Sequence, residues 1–169
     1  MNLASTDTAS GRNAGRATAE PVLSVNDLVV TYYTDLGRAR ALDKVSFTLK
    51  AGTKMGMVGE SGSGKSTLAL AMMRMIKPPG RIEGGNVWVG GTDLQALSEE
   101  DMRKARLSKI AYIPQGAMNS LNPVMRVGAQ MVDAIKSHLR GESASAINDR
   151  CVWALKSVDL DPSVFHMYP

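Results

Sequence analysis

Gly59-Glu60-Ser61-Gly62-Ser63-Gly64-Lys65-Ser66, followed by Thr67, restricts this 169-residue chain more than any other stretch. It has a glycine, four residues and then Gly-Lys-Ser, and it lies between an apolar run at residues 55–58 and a helical pattern at residues 68–76. A strand, a loop of this spacing and a helix form the setting in which such a loop binds a nucleoside triphosphate. The residue types follow from the anion. Many backbone N–H groups must point inward, and Gly59, Gly62 and Gly64 permit the positive φ angles and close approach that side chains would block. Lys65 adds a point charge at the β and γ phosphates. A helix starting at once places unpaired N–H groups and about half a positive charge under them. The Ser66 hydroxyl is the expected Mg²⁺ ligand. The alternative, a glycine-rich turn that happens to contain Lys-Ser, does not account for the flanks.

The rest of the composition narrows the setting. The chain is one domain's worth, long enough to bury a core. Its formal charge is +4, and Arg103, Lys104, Arg106 and Lys109 form the one basic cluster; no aromatic residues interleave with it, so it reads as a solvated helix face and not a nucleic-acid patch. A lone cysteine, Cys151, cannot form an internal disulfide, which fits a reducing compartment. It falls within an apolar helical stripe and reads as a buried, inert thiol. No apolar run reaches the ~20 residues that span a bilayer, and the N-terminus has no signal-peptide core. Any membrane association is therefore expected to come through a partner. His138 and His166 have no further ligand at metal-site spacing.

In chain order, residues 1–21 are poor in large apolar side chains and read as a disordered tail. Leu23, Val25 and residues 28–33 suggest a strand. A polar turn at residues 35–40 leads to the alternating Val45, Phe47 and Leu49 of a second strand. After the phosphate loop a helix over residues 66–76 is stopped by Lys77-Pro78-Pro79-Gly80. Ile82, Gly84-Gly85, Val87-Trp88-Val89 and Gly90-Gly91 suggest another antiparallel pair. Ser98 with Asp101 three residues on marks a helix start, and that helix is expected to reach about Leu107. Residues 110–113 read as a short strand ending at Pro114-Gln115. Past a loop containing Asn119, Asn122 and Pro123, apolar stripes predict two more helices. The first carries Val127, Met131, Ile135 and Leu139; the second carries Ala144, Ile147, Cys151, Ala154, Leu155 and Val158.

A phosphate loop alone does not name a function. Gln115, however, lies 115 − 65 = 50 residues past Lys65, in the run Ile110-Ala111-Tyr112-Ile113-Pro114-Gln115-Gly116-Ala117-Met118-Asn119-Ser120-Leu121-Asn122-Pro123. This run resembles the Q-loop of ATP-binding cassette (ABC) transporter ATPases. Ser120-Leu121-Asn122-Pro123 is similar to the subfamily that powers oligopeptide, dipeptide and nickel import. Leu23-x-Val25-x-Asp27-Leu28, Ala41-Leu42-Asp43-x-Val45-Ser46-Phe47 and Gly59-Glu60-Ser61-Gly62 resemble the same subfamily, which extends the likeness over residues 22–169. Pro114 and Gly116 stand where that subfamily often has Phe and Asp.

The resemblance implies an α/β fold: the P-loop NTPase core of an ABC cassette with an antiparallel β subdomain (residues 22–115) and the start of the helical subdomain (residues 116–169), incomplete at the C-terminus. It implies ATP with Mg²⁺, held by Gly59, Glu60, Ser61, Gly62, Ser63, Gly64, Lys65, Ser66 and Thr67. Tyr32 would stack on adenine, with Tyr33 as the alternative. Lys65 and Gln115 would be catalytic, Gln115 contacting the metal and attacking water, with Ser66 and Gln115 on the Mg²⁺. The implied partners are transmembrane permease subunits, which the Gln115 loop would sense, a second cassette as dimer partner and, indirectly, a solute-binding protein, with no nucleic acid. The implied place is peripheral, on the cytoplasmic face of the inner membrane. The family's signature segment, Mg²⁺ aspartate, catalytic glutamate and switch histidine would follow Pro169. The 169 residues alone are thus expected to bind MgATP without turnover. Two rivals stand beside the importer: a non-hydrolysing truncated nucleotide-binding or interaction module, and a soluble ABC-type ATPase acting on nucleic acid. The subfamily likeness and scattered basic charge argue against the second.

Overall fold

The computed structural model describes residues 2–4, 21–116, 120–139 and 141–169. The chain forms two compact units, Met1–Tyr112 and Ile113–Pro169.

The first unit is built on a sheet of order β3-β2-β5-β6, antiparallel throughout, from β2 (Pro21–Thr34), β3 (Gly37–Lys50), β5 (Gly80–Val89) and β6 (Thr92–Asp93). β2 is hydrogen-bonded on both edges and supplies the centre of the core: Val25, Leu28 and Val30 are fully buried. They pack with Leu42 of β3, Val87 of β5, Leu68 and Ala71 of α1 (Lys65–Met72), Leu94, and Met102 and Ala105 of α2 (Glu99–Ser108). Burying side chains of this kind is the main source of stability in a domain of this size. The Gly90-Gly91 turn is as expected. Both residues have positive φ (+51° and +75°), the backbone that lets a two-residue loop match the twist of its strands.

Several boundaries differ from the sequence reading, each for a backbone reason. β3 begins at Gly37, so residues 38–40 are strand and not turn; Thr34 pairs with Gly37 and Tyr33 with Arg38 across a tight connection. Gly84-Gly85 does not interrupt β5 but lies at a bulge against β2, where the register shifts between Asn26 and Val29. α1 stops at Met72, short of the prolines. Arg74 adopts φ +49°, its N–H donates to the Ala71 carbonyl (3.0 Å), and the Met75 N–H donates to Leu70 (2.8 Å). This is a Schellman cap with arginine in glycine's usual place. The Arg74 guanidinium holds it there by donating to the carbonyl of Leu97 (2.6 Å) and pairing with Glu99.

The phosphate-loop strand is β4 (Gly56–Val58), and it pairs antiparallel with β1 (Asn2–Ala4). The expected disordered tail is corrected to that extent, because an open strand edge accepts backbone partners whatever their side chains. Met1 and residues 5–20 lie outside the described residues. Residues 110–113 are not a strand. Ile110 makes one isolated bridge to Arg106, and among the described residues no strand runs beside residues 111–113 to complete a ladder.

α2 starts as its sequence indicates. The Ser98 hydroxyl accepts from the Asp101 N–H (3.1 Å) and donates to the Asp101 carboxylate (2.7 Å), and Glu99, Glu100 and Asp101 fill the first turn. Arg103 beside Glu100 holds that carboxyl down at about 2. Ser98→Ala is expected to cost about 1 kcal/mol, read as a lower urea midpoint with an unchanged slope; an unchanged midpoint would mean the cap contributes nothing.

The second unit contains α3 (Val127–His138), α4 (Ala144–Ser157) and a 3-10 turn (Pro162–His166), which contact one another pairwise. The predicted stripe of α4 is buried at Ile147, Cys151 and Leu155, half-buried at Ala154 and exposed at Ala144 and Val158. Burial raises the Cys151 thiol pKa, in keeping with an inert residue. The α3 stripe is half-buried at Val127, Met131 and Ile135 and exposed at Leu139, and the buried residue of the helix is Gly128, outside the stripe. A Cβ there would lie 2.5 Å from the Phe165 carbonyl oxygen. No side chain caps α3; its Val127 N–H donates instead to Met167 (2.9 Å).

Candidate nucleotide-binding site

β4 delivers the chain to Gly59, and α1 begins at Lys65 with Gly64 as its cap. The loop glycines have distinct reasons. Gly62 and Gly64 take φ +81° and +91°, whereas a Cβ on Gly59 would sit 2.6 Å from Ser63 Oγ, a contact that rotation of the serine side chain relieves. A Cβ on Gly64 would meet the Ala41 carbonyl oxygen at 2.8 Å and the Leu42 side chain at 3.1 Å. The register of β2 against β3 shifts between Val30 and Thr31, and Ala41 is the extra residue of that bulge. β3 therefore walls the loop with backbone. Sequence reasoning missed this contact, since a carbonyl leaves no residue-type signal; only the glycine at 64 hints at it.

Lys65 Nζ donates to the carbonyls of Gly59 (2.7 Å) and Glu60 (2.6 Å) and to Ser63 Oγ (3.1 Å). Its charge is thus held in the mouth of the loop by neutral oxygens. No side chain caps α1 and its first turn carries no acid, in contrast to α2. The first-turn N–H groups and the lysine together suit an anion. A triphosphate suits this cradle, which the missing Cβ of Gly64 keeps open beside the Ala41 carbonyl. Ser66 is exposed and Thr67 half-buried at the helix start. Among the described residues no three His, Cys, Asp or Glu side chains gather as a metal site. The Ser66 hydroxyl is a neutral oxygen donor suited to a hard cation whose charge is met mainly by phosphates.

The two tyrosines lie on opposite faces of β2. Tyr32 pairs with Ala39 and turns toward the core, where its ring abuts Gly80. Tyr33 lies with the guanidinium carbons of Arg38 and Arg81 each 5.3 Å from its ring centroid. Its hydroxyl donates to Glu83, which also accepts from Thr31 Oγ1 (2.6 Å). The hydrogen bond to Glu83 raises the Tyr33 pKa, and the bonds from Thr31 and Tyr33 lower that of Glu83. Gln115 belongs to the second unit. It is exposed at the start of a turn in which Gly116 has φ +76°.

A strand, a glycine loop wrapped on a lysine and a helix without a side-chain cap together form an arrangement suited to an anion. The profile of the ABC transporter family matches residues 42–165, and the chain belongs to that family. It is 40% identical over 131 residues to the oligopeptide transport ATP-binding protein OppD of Escherichia coli, covering 78% of this chain and 39% of that protein. It is 39% identical over 150 residues to the dipeptide transport ATP-binding protein DppD of the same organism, covering 88% and 46%. The chain thus spans less than half the length of these relatives. Among solved structures it is similar to the dimeric structure of MJ0796, a bacterial ABC transporter cassette. The TM-score is 0.72 at 23% identity, over 87% of this chain and 61% of that one. It also resembles a dimeric post-hydrolysis state of MJ0796 bound to ADP and Pi, with a TM-score of 0.67 at 20% identity, over the same shares. The fold is that of part of an ABC ATPase cassette, as the resemblance implied.

Proposed function

We propose that this chain is part of the ATP-binding subunit of an ABC importer for peptides or a related small solute. The observation that carries the reading is the loop at residues 59–67, closed on Lys65 and opening onto an uncapped helix, in a chain about 40% identical to peptide-transport ATP-binding proteins. Residues 59–67 hold the triphosphate, and Ser66 with Gln115 serves the Mg²⁺ that supplies charge neutralisation at the phosphates. Tyr32 stacks on adenine; the ring of Tyr33 is already engaged by two guanidiniums. Lys65 stabilises phosphate charge and Gln115 orients water. The subunit works as a cassette dimer, peripheral on the cytoplasmic face of the membrane, bound to permease subunits and served indirectly by a solute-binding protein. No helix of the described residues is long and apolar enough to cross a membrane, so attachment through partners is the reading adopted. The 169 residues by themselves bind MgATP without turning it over, because hydrolysis also needs a carboxylate beside the water that Gln115 orients, a role the reading assigns to none of these residues.

The test is uptake of labelled di- and oligopeptides by cells of the source organism with the gene intact or deleted. Loss of uptake of at least one peptide class on deletion, restored by the wild-type gene but not by Lys65→Ala, is the expected result. Unchanged uptake of all of them, with the protein recovered on ribosomes or DNA, would overturn the importer reading.

A further inference from the structure

Which of two adjacent tyrosines lies on the core face of β2 depends on a single step of register, and the sheet is irregular just before them. Val30 has an extra residue on each side. On β3, Val30 pairs with Leu42 and Thr31 with Arg40, which leaves out Ala41; on β5, Val29 pairs with Gly84 and Val30 with Ile82, which leaves out Glu83. A bulge is a point at which a ladder changes register, and a slip of one residue moves every following side chain to the other face. Such a slip would put Tyr33 where Tyr32 now lies. Glu83 opposes it from the bulge itself. Its carboxylate accepts from Thr31 Oγ1 (2.6 Å) and from the Tyr33 hydroxyl, the two residues that flank Tyr32 and lie on the opposite face. Thr31 is buried, so a slip would cost its hydroxyl a partner that water does not replace. The Tyr33 ring is held on that same face by Arg38 and Arg81. On the core face Gly80 stands opposite Tyr32 in the ladder, and a Cβ there would fall 2.7 Å from both Tyr32 Cε1 and Ile76 Cγ2. The Tyr32 ring thus occupies a place that no side chain of β5 fills.

We propose that Glu83 is a positioning residue for the nucleotide base: by tying Thr31 and Tyr33 to one face of β2 it keeps Tyr32 on the other, where the ring stacks on adenine. This role rests on the adenine contact of Tyr32 given above. Glu83 itself touches no ligand. The triphosphate is held by residues 59–67, so Glu83 acts on the binding of the base and not on that of the phosphates. A ring already fixed in place stacks without the ordering cost that a mobile one must meet.

The intact protein is titrated with MgATP and, as a probe that has phosphates but no base, with magnesium tripolyphosphate. Tyr32→Ala sets the scale: it should weaken MgATP binding about 5- to 150-fold, the ~1–3 kcal/mol of a base on an aromatic ring, and leave tripolyphosphate binding unchanged. Glu83→Leu removes both acceptors at similar length, and Thr31→Val with Tyr33→Phe removes both donors while leaving the carboxylate. Each should weaken MgATP binding about 5-fold, leave tripolyphosphate binding unchanged and have no further effect in the Tyr32→Ala background. Equal loss for both ligands would make Glu83 a merely structural residue and overturn the proposal. Unchanged MgATP affinity in Glu83→Leu or in the paired variant would overturn it too. In either case a selective loss in Tyr32→Ala leaves the adenine contact standing. Tyr32→Ala that does not change the ratio of the two affinities overturns both the adenine contact and the role of Glu83, while phosphate binding by residues 59–67 is unaffected.

Discussion

Lys65→Ala should weaken MgATP binding roughly 10- to 150-fold, the equivalent of ~1.5–3 kcal/mol for charge-assisted hydrogen bonds at the phosphates. The ammonium is oriented by two carbonyls and a hydroxyl of the loop before any phosphate is present. Exchanging those neutral acceptors for phosphate oxygens strengthens its bonds, because the new partners carry charge. Lys65→Arg should not restore affinity: the loop carbonyls hold a compact ammonium, and a planar guanidinium cannot reproduce that point charge. Titration of the intact protein with a fluorescent ATP analogue and Mg²⁺ measures both variants. Unchanged affinity in Lys65→Ala would remove residues 59–67 as the phosphate site.

Gly85→Ala should be among the most damaging single-methyl changes in the first unit, and Gly84→Ala beside it nearly silent. Gly85 has φ +92°, and its Cβ would fall 2.5 Å from Leu28 Cα and 2.6 Å from the carbonyl oxygens of Asn26 and Asp27. All three are backbone atoms of the central strand, so no side chain can swing aside. A left-handed backbone costs an L-residue about 1–2 kcal/mol, and forcing the bulge apart adds about 1–3 kcal/mol. Gly84 has nothing within 4 Å of a built Cβ and no positive φ. Urea denaturation of the two variants separates the effects. Equal midpoints would show that the bulge yields, and that the β2–β5 contact is looser than its distances imply.

These two sites mark how far the sequence could be read. The loop at residues 59–67, the Gly90-Gly91 turn and the Ser98 cap were legible because each is set by a few adjacent residues whose chemistry has one purpose. The antiparallel β2–β3 hairpin was legible in outline from alternating apolar residues. What was not legible depends on backbone partners distant in sequence. β3 takes in the polar residues 38–40 because β2 offers them a ladder, and residues 110–113 form no strand because among the described residues no strand runs beside residues 111–113. α1 ends at Met72 because Arg74, not a glycine or proline, is bonded into a left-handed turn from 20 or more residues away. The wall that Ala41 presents to Gly64 is a carbonyl, and carbonyls are the same at every position. Glu83 was hidden differently: an antiparallel pair was predicted around it, but a glutamate on a strand gives no sign of which donors its carboxylate meets.

The placing of the phosphate loop within the strand order bears on how the first unit is assembled. β2 is bonded to β3, its neighbour in sequence, and also to β5, with Leu23 opposite Val89, 89 − 23 = 66 residues apart. The loop and α1 fall within the excursion between those two partners. The hairpin can form quickly by itself, but the second pairing must await closure of a long segment, the slow and entropically costly event in such topologies. A ligand that binds only the closed form adds its own free energy to the closure. On the proposed reading, nucleotide concentration would then govern how long β5 stays on β2 as well as what the finished subunit does.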